Sequence, residues 1–77
     1  MDDDSIARRI RRLIDEEHSL YESHEIHDRE RAKLKAIEVE LDQCWDLLRQ
    51  RRAKREFGDN PEEAQVRGAE IVERYKQ

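Results

Sequence analysis

The sequence contains few of the residues that break helices or cross-link small folds. Its 77 residues include one cysteine, one proline and two glycines, and 5% of them are aromatic. The lone Cys44 excludes an intramolecular disulfide, and no apolar run is long enough for a signal peptide or a membrane span. Gly58, Pro61 and Gly68 all lie in the last twenty residues, so the preceding 57 residues contain no strong helix breaker. We expect a cytoplasmic protein without membrane association.

Charged residues dominate what is present. They make up 47% of the chain, with a net charge of -4, whereas hydrophobic residues make up 35%. Ala, Glu, Lys, Leu and Arg together account for 40 of the 77 residues, a composition typical of long helices and coiled coils. So short a chain buries little surface and usually needs a disulfide, a metal or a second chain for stability. This composition excludes most classes of enzyme and favours a partner chain.

Hydrophobic periodicity predicts two long helices, helix one over about residues 5–23 and helix two over about 28–57. In both segments apolar residues recur at steps of three and four, the spacing of one helix face. The residues of the two stripes are Ile6, Ile10, Leu13 and Leu20, then Leu34, Ile37, Leu41, Cys44 and Leu48. Asp2, Asp3, Asp4 and Ser5 suit the start of helix one, where they satisfy unpaired amides and the positive end of the helix dipole.

The two stripes match if the helices fold back on each other as an antiparallel hairpin. Facing residues in such a hairpin have a constant sum of residue numbers, and here the sum is 54. The pairs are Ile6 with Leu48, Ile10 with Cys44, Leu13 with Leu41, and Leu20 with Leu34. Charge agrees, because residues 1–28 carry a net charge of -5 and residues 29–57 carry +3. The predicted fold is therefore all-α, with residues 1–57 forming the hairpin.

Residues 58–77 form a short C-terminal helical tail in this prediction. Asn60 is a suitable N-cap, and Pro61 suits the first position of a third helix, which Gly68 interrupts. Ile71, Val72 and Tyr75 give the last segment a small apolar face. We expect this face to dock on the hairpin or on a partner subunit.

A two-helix seam leaves several apolar side chains at its edges uncovered. The candidate dimer contacts are Ile14, Tyr21, Trp45 and Leu47. Self-association into an antiparallel four-helix bundle would bury them. The leading hypothesis is a non-enzymatic homodimer that acts as a protein-interaction module, with a further protein partner left open.

Glu17 is a polar residue within the stripe of helix one. Burial of an unpaired carboxylate is costly, so Glu17 must reach a cation such as Lys33, reach solvent or bind an ion. Asp15 and His18 have the spacing by which helical bundles present a carboxylate and an imidazole to one metal. A ferritin-like metal-binding bundle with Asp15, Glu17 and His18 as ligands is therefore an alternative. A seam position that fixes register is the simpler interpretation, and we expect no cofactor.

Five cations occur between Arg49 and Arg55, which makes a nucleic-acid-binding or ribosome-associated protein the second alternative. The hairpin pairing sets residues 2–4, three aspartates, opposite residues 50–52, so part of this charge is neutralised. The net charge is negative and no aromatic residues alternate with the cations. These features disfavour nucleic-acid binding.

No motif for catalysis is present. The sequence has no Ser-His-Asp set, no glycine-rich phosphate loop and no paired acids in a cleft. Cys44, which faces Ile10 in the predicted hairpin, is interpreted as a small buried hydrophobe.

The run Leu41-Asp-Gln-Cys-Trp-Asp-Leu-Leu-Arg-Gln-Arg-Arg-Ala53 resembles a family of short actinobacterial proteins catalogued only as a domain of unknown function. Arg55-Glu-Phe-Gly58, Pro61 and the segment from Val72 to Tyr75 extend the resemblance over nearly the whole chain. The chain departs from the family pattern at His27, where a serine cap is expected, and at Gly68-Ala69, where proline is expected. The resemblance implies a small helical protein and adds no catalytic residue.

Overall fold

The computed structural model describes residues 2–22 and 26–73. In these ranges all regular secondary structure is helical: α1 spans Asp3–Tyr21, α2 spans Asp28–Glu56 and α3 spans Ala69–Val72, with one 3-10 turn at Pro61–Glu63. α1 starts and ends two residues earlier than predicted, and α2 ends one residue earlier. The predicted all-α fold, with α1 and α2 packed against each other as a hairpin, is confirmed.

The N-terminus of α1 is capped as its sequence predicts. The Asp2 carboxylate accepts a hydrogen bond from the Ser5 backbone N–H at 2.7 Å, and Asp3 and Asp4 occupy the first turn. Hydrogen bonds from Ser5 hold the pKa of Asp2 below its ordinary value. His27 precedes α2 without a side-chain capping bond. The chain reversal between the helices includes residues outside the described ranges.

A glycine, Gly58, follows the end of α2 at Glu56 by two residues. Gly58 has a φ of 78°, the left-handed conformation that glycine adopts without strain. The Asp59 N–H donates to the Lys54 carbonyl at 2.7 Å, and the Gly58 N–H donates to the Arg55 carbonyl at 3.3 Å. This pair of bonds is a Schellman motif, which satisfies the last carbonyls of the helix and turns the chain back.

The core of the hairpin contains the stripe residues of both helices except Leu34, which is partly buried outside the central cluster. Ile6 is fully buried at the open end, and Leu20, Leu41 and Leu48 are partly buried against the central cluster. The remaining stripe residues that are buried are Ile10, Leu13, Ile37 and Cys44. Asp3 forms an ion pair with Arg51, and their residue numbers sum to 54, the value predicted for the antiparallel register.

The C-terminal strap, defined here as residues 60–73, docks along α2 of the same chain. The prediction of a third helix that begins at Pro61 and runs to Gly68 is wrong beyond its first turn. The Asn60 side chain caps that turn through the Glu62 N–H at 3.0 Å, but residues 64–68 are not helical. The Gln65 and Arg67 carbonyls accept hydrogen bonds from side chains of α2, which replace the bonds of a continuous helix. Tyr75 lies outside the described residues.

Candidate interaction surface

One side of α2 holds the C-terminal strap through polar contacts. The Gln50 side chain donates to the Gln65 carbonyl at 2.7 Å and accepts from the Gln65 N–H at 3.4 Å, as a strand neighbour would. About two turns toward the hairpin turn, the Gln43 side chain donates to the Arg67 carbonyl at 3.0 Å. The strap ends with Val72 buried and Glu73 paired to Lys35 at 3.1 Å. The strap thus runs antiparallel to α2 for about 24 Å, from residue 51 to residue 35.

Arg51 joins the start of the strap to the start of α1. Arg51 is 7% exposed. Its guanidinium donates to Asp3 at 2.5 Å, to the Pro61 carbonyl at 3.2 Å and to Glu62 at 3.4 Å. Arg55 also pairs with Asp3, at 3.0 Å. Hydrogen bonds from both arginines hold the pKa of Asp3 below its ordinary value, and the same bond raises the pKa of Arg51. These contacts fasten three segments of the chain at the open end of the hairpin.

Asp46 is the second charged residue buried under the strap. It is 2% exposed, accepts a hydrogen bond from Gln50 at 2.8 Å and pairs with Arg67 at 3.4 Å. Buried carboxylates are stable only when they are paired and hydrogen-bonded. The burial of Asp46 therefore depends on the strap, and the docking of the strap depends in part on its ion pair with Asp46.

Sequence reasoning identified neither Arg51 nor Asp46 as a buried residue. A signal existed for Arg51, because the alternation of three and four steps that gives Cys44 and Leu48 continues to Arg51 and Arg55. The predicted neutralisation of basic residues by the N-terminal aspartates is confirmed in the pairs of Asp3 with Arg51 and Arg55. No comparable periodic signal marks Asp46, which is buried by the strap rather than by α1.

The opposite side of α2 exposes apolar side chains that the strap does not reach. Trp45 is 47% exposed, and on α1 Ile14 is 38% and Tyr21 is 61% exposed. Trp45 is two residues from Gln43, which places the two side chains about 200° apart around the helix. We define the Trp45 face by its members Ile14, Tyr21, Leu34, Leu41, Trp45 and Leu48, of which the three leucines are partly buried.

Leu47 does not belong to this face, so its assignment as a candidate dimer contact is wrong. It is 5% exposed and belongs to the core cluster with Cys44 and Ile37. The reason is the strap, whose Ala64 packs against the core cluster that contains Leu47, whereas Val66 is 62% exposed and only lines a cavity beside it. Leu47 is thus covered on the strap side within one chain.

Glu17, Asp15 and His18 were the candidate ligands of the metal-binding alternative. Glu17 is half-buried, and within the described ranges it forms no ion pair with Lys33, so the predicted pairing is wrong. Lys33 lies instead beside Glu16 in the groove between α1 and α2. The described part of the chain contains no group of three or more His, Cys, Asp or Glu side chains arranged to hold a metal, including at Asp15 and His18.

The surroundings of the Cys44 thiol bear on function. Burial raises the pKa of the Cys44 thiol, with Arg9 lowering it and Glu40 raising it by smaller amounts. Arg9 and Glu40 form an ion pair at 2.6 Å above this cysteine.

In residues 2–22 and 26–73, no helix combines the length and the apolar character needed to cross a bilayer.

Comparison with known proteins identifies relatives whose names assign no activity. Over 46 residues the chain is 63% identical to Uncharacterized protein Rv0898c of Mycobacterium tuberculosis and to Uncharacterized protein Mb0922c of Mycobacterium bovis. The matched segment covers 60% of this chain and 53% of each relative, so the chain spans about half the length of the curated relatives it matches. No solved structure matches it. The family described as "Protein of unknown function (DUF2630)" matches residues 2–77, and the chain belongs to this family, as its second helix indicated.

Proposed function

We propose that this chain is a non-enzymatic, cytoplasmic protein-interaction module that acts as a homodimer, with the Trp45 face as its interface. The observation that carries this proposal is the contrast between the two sides of α2: the strap covers one, and half-exposed Trp45 and its apolar neighbours occupy the other. Aromatic residues at the centre of an apolar patch are the usual anchors of protein interfaces. Two copies joined through this face would place four long helices in one bundle.

The properties of Cys44 fit this proposal better than they fit catalysis. A reactive cysteine has a lowered pKa and an accessible sulfur, whereas Cys44 is buried and its pKa is raised. A buried single thiol is also compatible with the reducing conditions of the cytoplasm.

The experiment that tests the proposal is measurement of mass as a function of protein concentration, by native mass spectrometry and analytical ultracentrifugation. We expect a dimer that dissociates on dilution. Because Trp45 is the single tryptophan, its fluorescence emission should shift to shorter wavelength as the dimer forms and the indole leaves water.

The Trp45→Ala variant should weaken the dimer by about 2 kcal/mol or more, roughly 30-fold in Kd, while circular dichroism of the helices stays unchanged. Phe57→Ala is the matched control, since Phe57 is a more exposed aromatic residue of the same chain that lies at the end of α2, outside the Trp45 face. A chain that stays monomeric at all concentrations, or equal effects of the two variants, would contradict the proposal.

A further inference from the structure

We infer that the Trp45 face is self-complementary and that a second copy of this chain occupies it in antiparallel orientation, with Trp45 at the two-fold axis and Glu38 of each copy paired with Arg52 of the other. This inference rests on the proposed function, because it specifies the geometry of the same dimer. Its basis is the placement of one acidic and one basic residue on either side of the tryptophan.

Glu38, Trp45 and Arg52 occur at intervals of seven residues on α2. Seven residues are nearly two helical turns, so the three side chains share one stripe along the helix, about 10 Å apart. All three are exposed. A second heptad stripe, Leu34, Leu41 and Leu48, runs beside the first and is partly buried, with Leu41 and Leu48 packed against the hairpin core. Together the two stripes form the α2 part of the Trp45 face.

The order of charges along this stripe determines the orientation of a second copy. In a parallel dimer in register, Glu38 would meet Glu38 and Arg52 would meet Arg52, and both contacts would be repulsive. In an antiparallel dimer centred on Trp45, each Glu38 would meet an Arg52, because both residues are seven positions from the centre. A two-fold axis repeats every contact, so the dimer would contain this ion pair twice.

The charges around the tryptophan also contact residues of the same chain. Arg49 lies beside Trp45, Leu48 and Arg52 in a shallow groove at the open end of the hairpin, which also includes Arg55 and its ion-pair partner Asp3. Arg52 makes a long ion pair with Glu56 of its own helix, at 3.8 Å, and both side chains are more than half exposed. Such an exposed pair contributes little and leaves the guanidinium accessible to a second carboxylate.

The test is charge reversal at the two positions, separately and in mixture. Glu38→Arg and Arg52→Glu should each weaken the homodimer by about tenfold or more, because each turns two attractive contacts into two repulsive ones. An equimolar mixture of the two variants should form a heterodimer close to the wild-type affinity, since every Glu38–Arg52 contact is then restored with opposite or original sign. Recovery in the mixture also shows that both variants are folded.

Glu16→Arg and Arg12→Glu are the matched controls, because they make the same charge changes at exposed positions of α1 on other sides of the helix. Effects no larger than those of the controls, or a mixture that stays monomeric, would overturn the antiparallel geometry. If the wild-type chain still formed a dimer in that case, the proposed function would stand. A wild-type chain that is monomeric at every concentration would overturn both.

Discussion

The two sides of α2 differ in how they are completed. The strap side carries Asp46, Gln43 and Gln50, and each of these polar groups finds its counterpart in the same chain. The opposite side carries Trp45, which stays half exposed. Polar groups with fixed geometry specify one docking position, whereas apolar groups accept any surface that excludes water. The strap side is therefore suited to holding one segment in place, and the Trp45 face to binding another molecule.

This difference explains how a chain with so few hydrophobic residues forms a compact end to its hairpin. The strap contributes one fully buried apolar side chain, Val72, and several backbone groups that bond to α2. Its contribution lies largely in hydrogen bonds and ion pairs with Arg51 and Asp46. Net stabilisation by such bonds is modest, but the loss of one counterpart in a buried site is costly. Removal of one of these counterparts by substitution, while the other stays buried, should therefore cost more than the bond itself contributes.

The largest difference should appear when the same atoms are removed from the core and from the Trp45 face. Ile6 is fully buried between the helices, and Ile14 is 38% exposed. Ile6→Ala should lower the free energy of unfolding by about 2–5 kcal/mol, because it removes buried methyl groups and leaves a cavity. Urea denaturation followed by circular dichroism measures this change.

Ile14→Ala is the control for this substitution, and its effect should depend on protein concentration. In the monomer the change should be below about 1 kcal/mol, since much of the side chain already contacts water. Above the dimer dissociation constant the loss should increase. A concentration-independent loss as large as that of Ile6→Ala would mean that Ile14 belongs to the core rather than to the Trp45 face.

A second, smaller effect should separate the strap from the hairpin. Arg67→Ala removes the cation from the buried Asp46 and should weaken strap docking by about 1–3 kcal/mol. Hydrogen exchange measured by mass spectrometry should show lost protection in residues 60–73 and unchanged protection in the stripe region of α1 and α2. Arg12→Ala, an exposed arginine of α1, is the matched control and should leave both regions unchanged. Equal loss of protection in strap and hairpin would show that the two unfold as one unit.

The hairpin could be predicted from the sequence because its determinants are periodic. The recurrence of Ile10, Leu13 and the later stripe residues every three or four positions is a local signal, and the antiparallel register follows from matching two such stripes. Helix ends were equally predictable where a single residue type determines them, as at Asp2 and Gly58. Each stripe and each helix end depends on residues close in sequence.

The strap could not be predicted in the same way, because its conformation depends on residues far away in sequence. Pro61 and the acids after it signal a helix start, and the structure has only one turn there. Gln50 and Gln43 then donate hydrogen bonds to the carbonyls of Gln65 and Arg67. Nothing in the strap sequence predicts that these carbonyls accept bonds from side chains of α2. The assignment of Leu47 to the dimer face was wrong for the same reason: the core cluster that contains Leu47 packs against Ala64 of the strap, seventeen residues later.

The smallest predicted effect is the response to acid of the junction at the open end, where Asp3 bonds to Arg51 and Arg55. These bonds hold the pKa of Asp3 below its ordinary value of 3.8, so the folded state binds this proton more weakly than the unfolded chain does. Asp3 therefore contributes stability above the unfolded pKa, and this contribution is lost as pH falls through the lower folded pKa. The Asp3 side chain is 43% exposed, which screens the interaction and keeps the effect small.

Asp3→Asn should therefore lower the thermal midpoint at pH 6, and its effect should decrease as pH falls below 3.8, because the contribution of the carboxylate is then progressively lost. Asp4→Asn makes the same change at the neighbouring exposed position, outside the ion pairs formed by Asp3, and serves as the control in thermal scans from pH 6 to pH 2. A difference between the two variants that grows as pH falls would have the wrong sign for a lowered pKa. It would show that Asp3 is held by packing rather than by its charge, and the open end of the hairpin would then be closed by Ile6 and the strap alone.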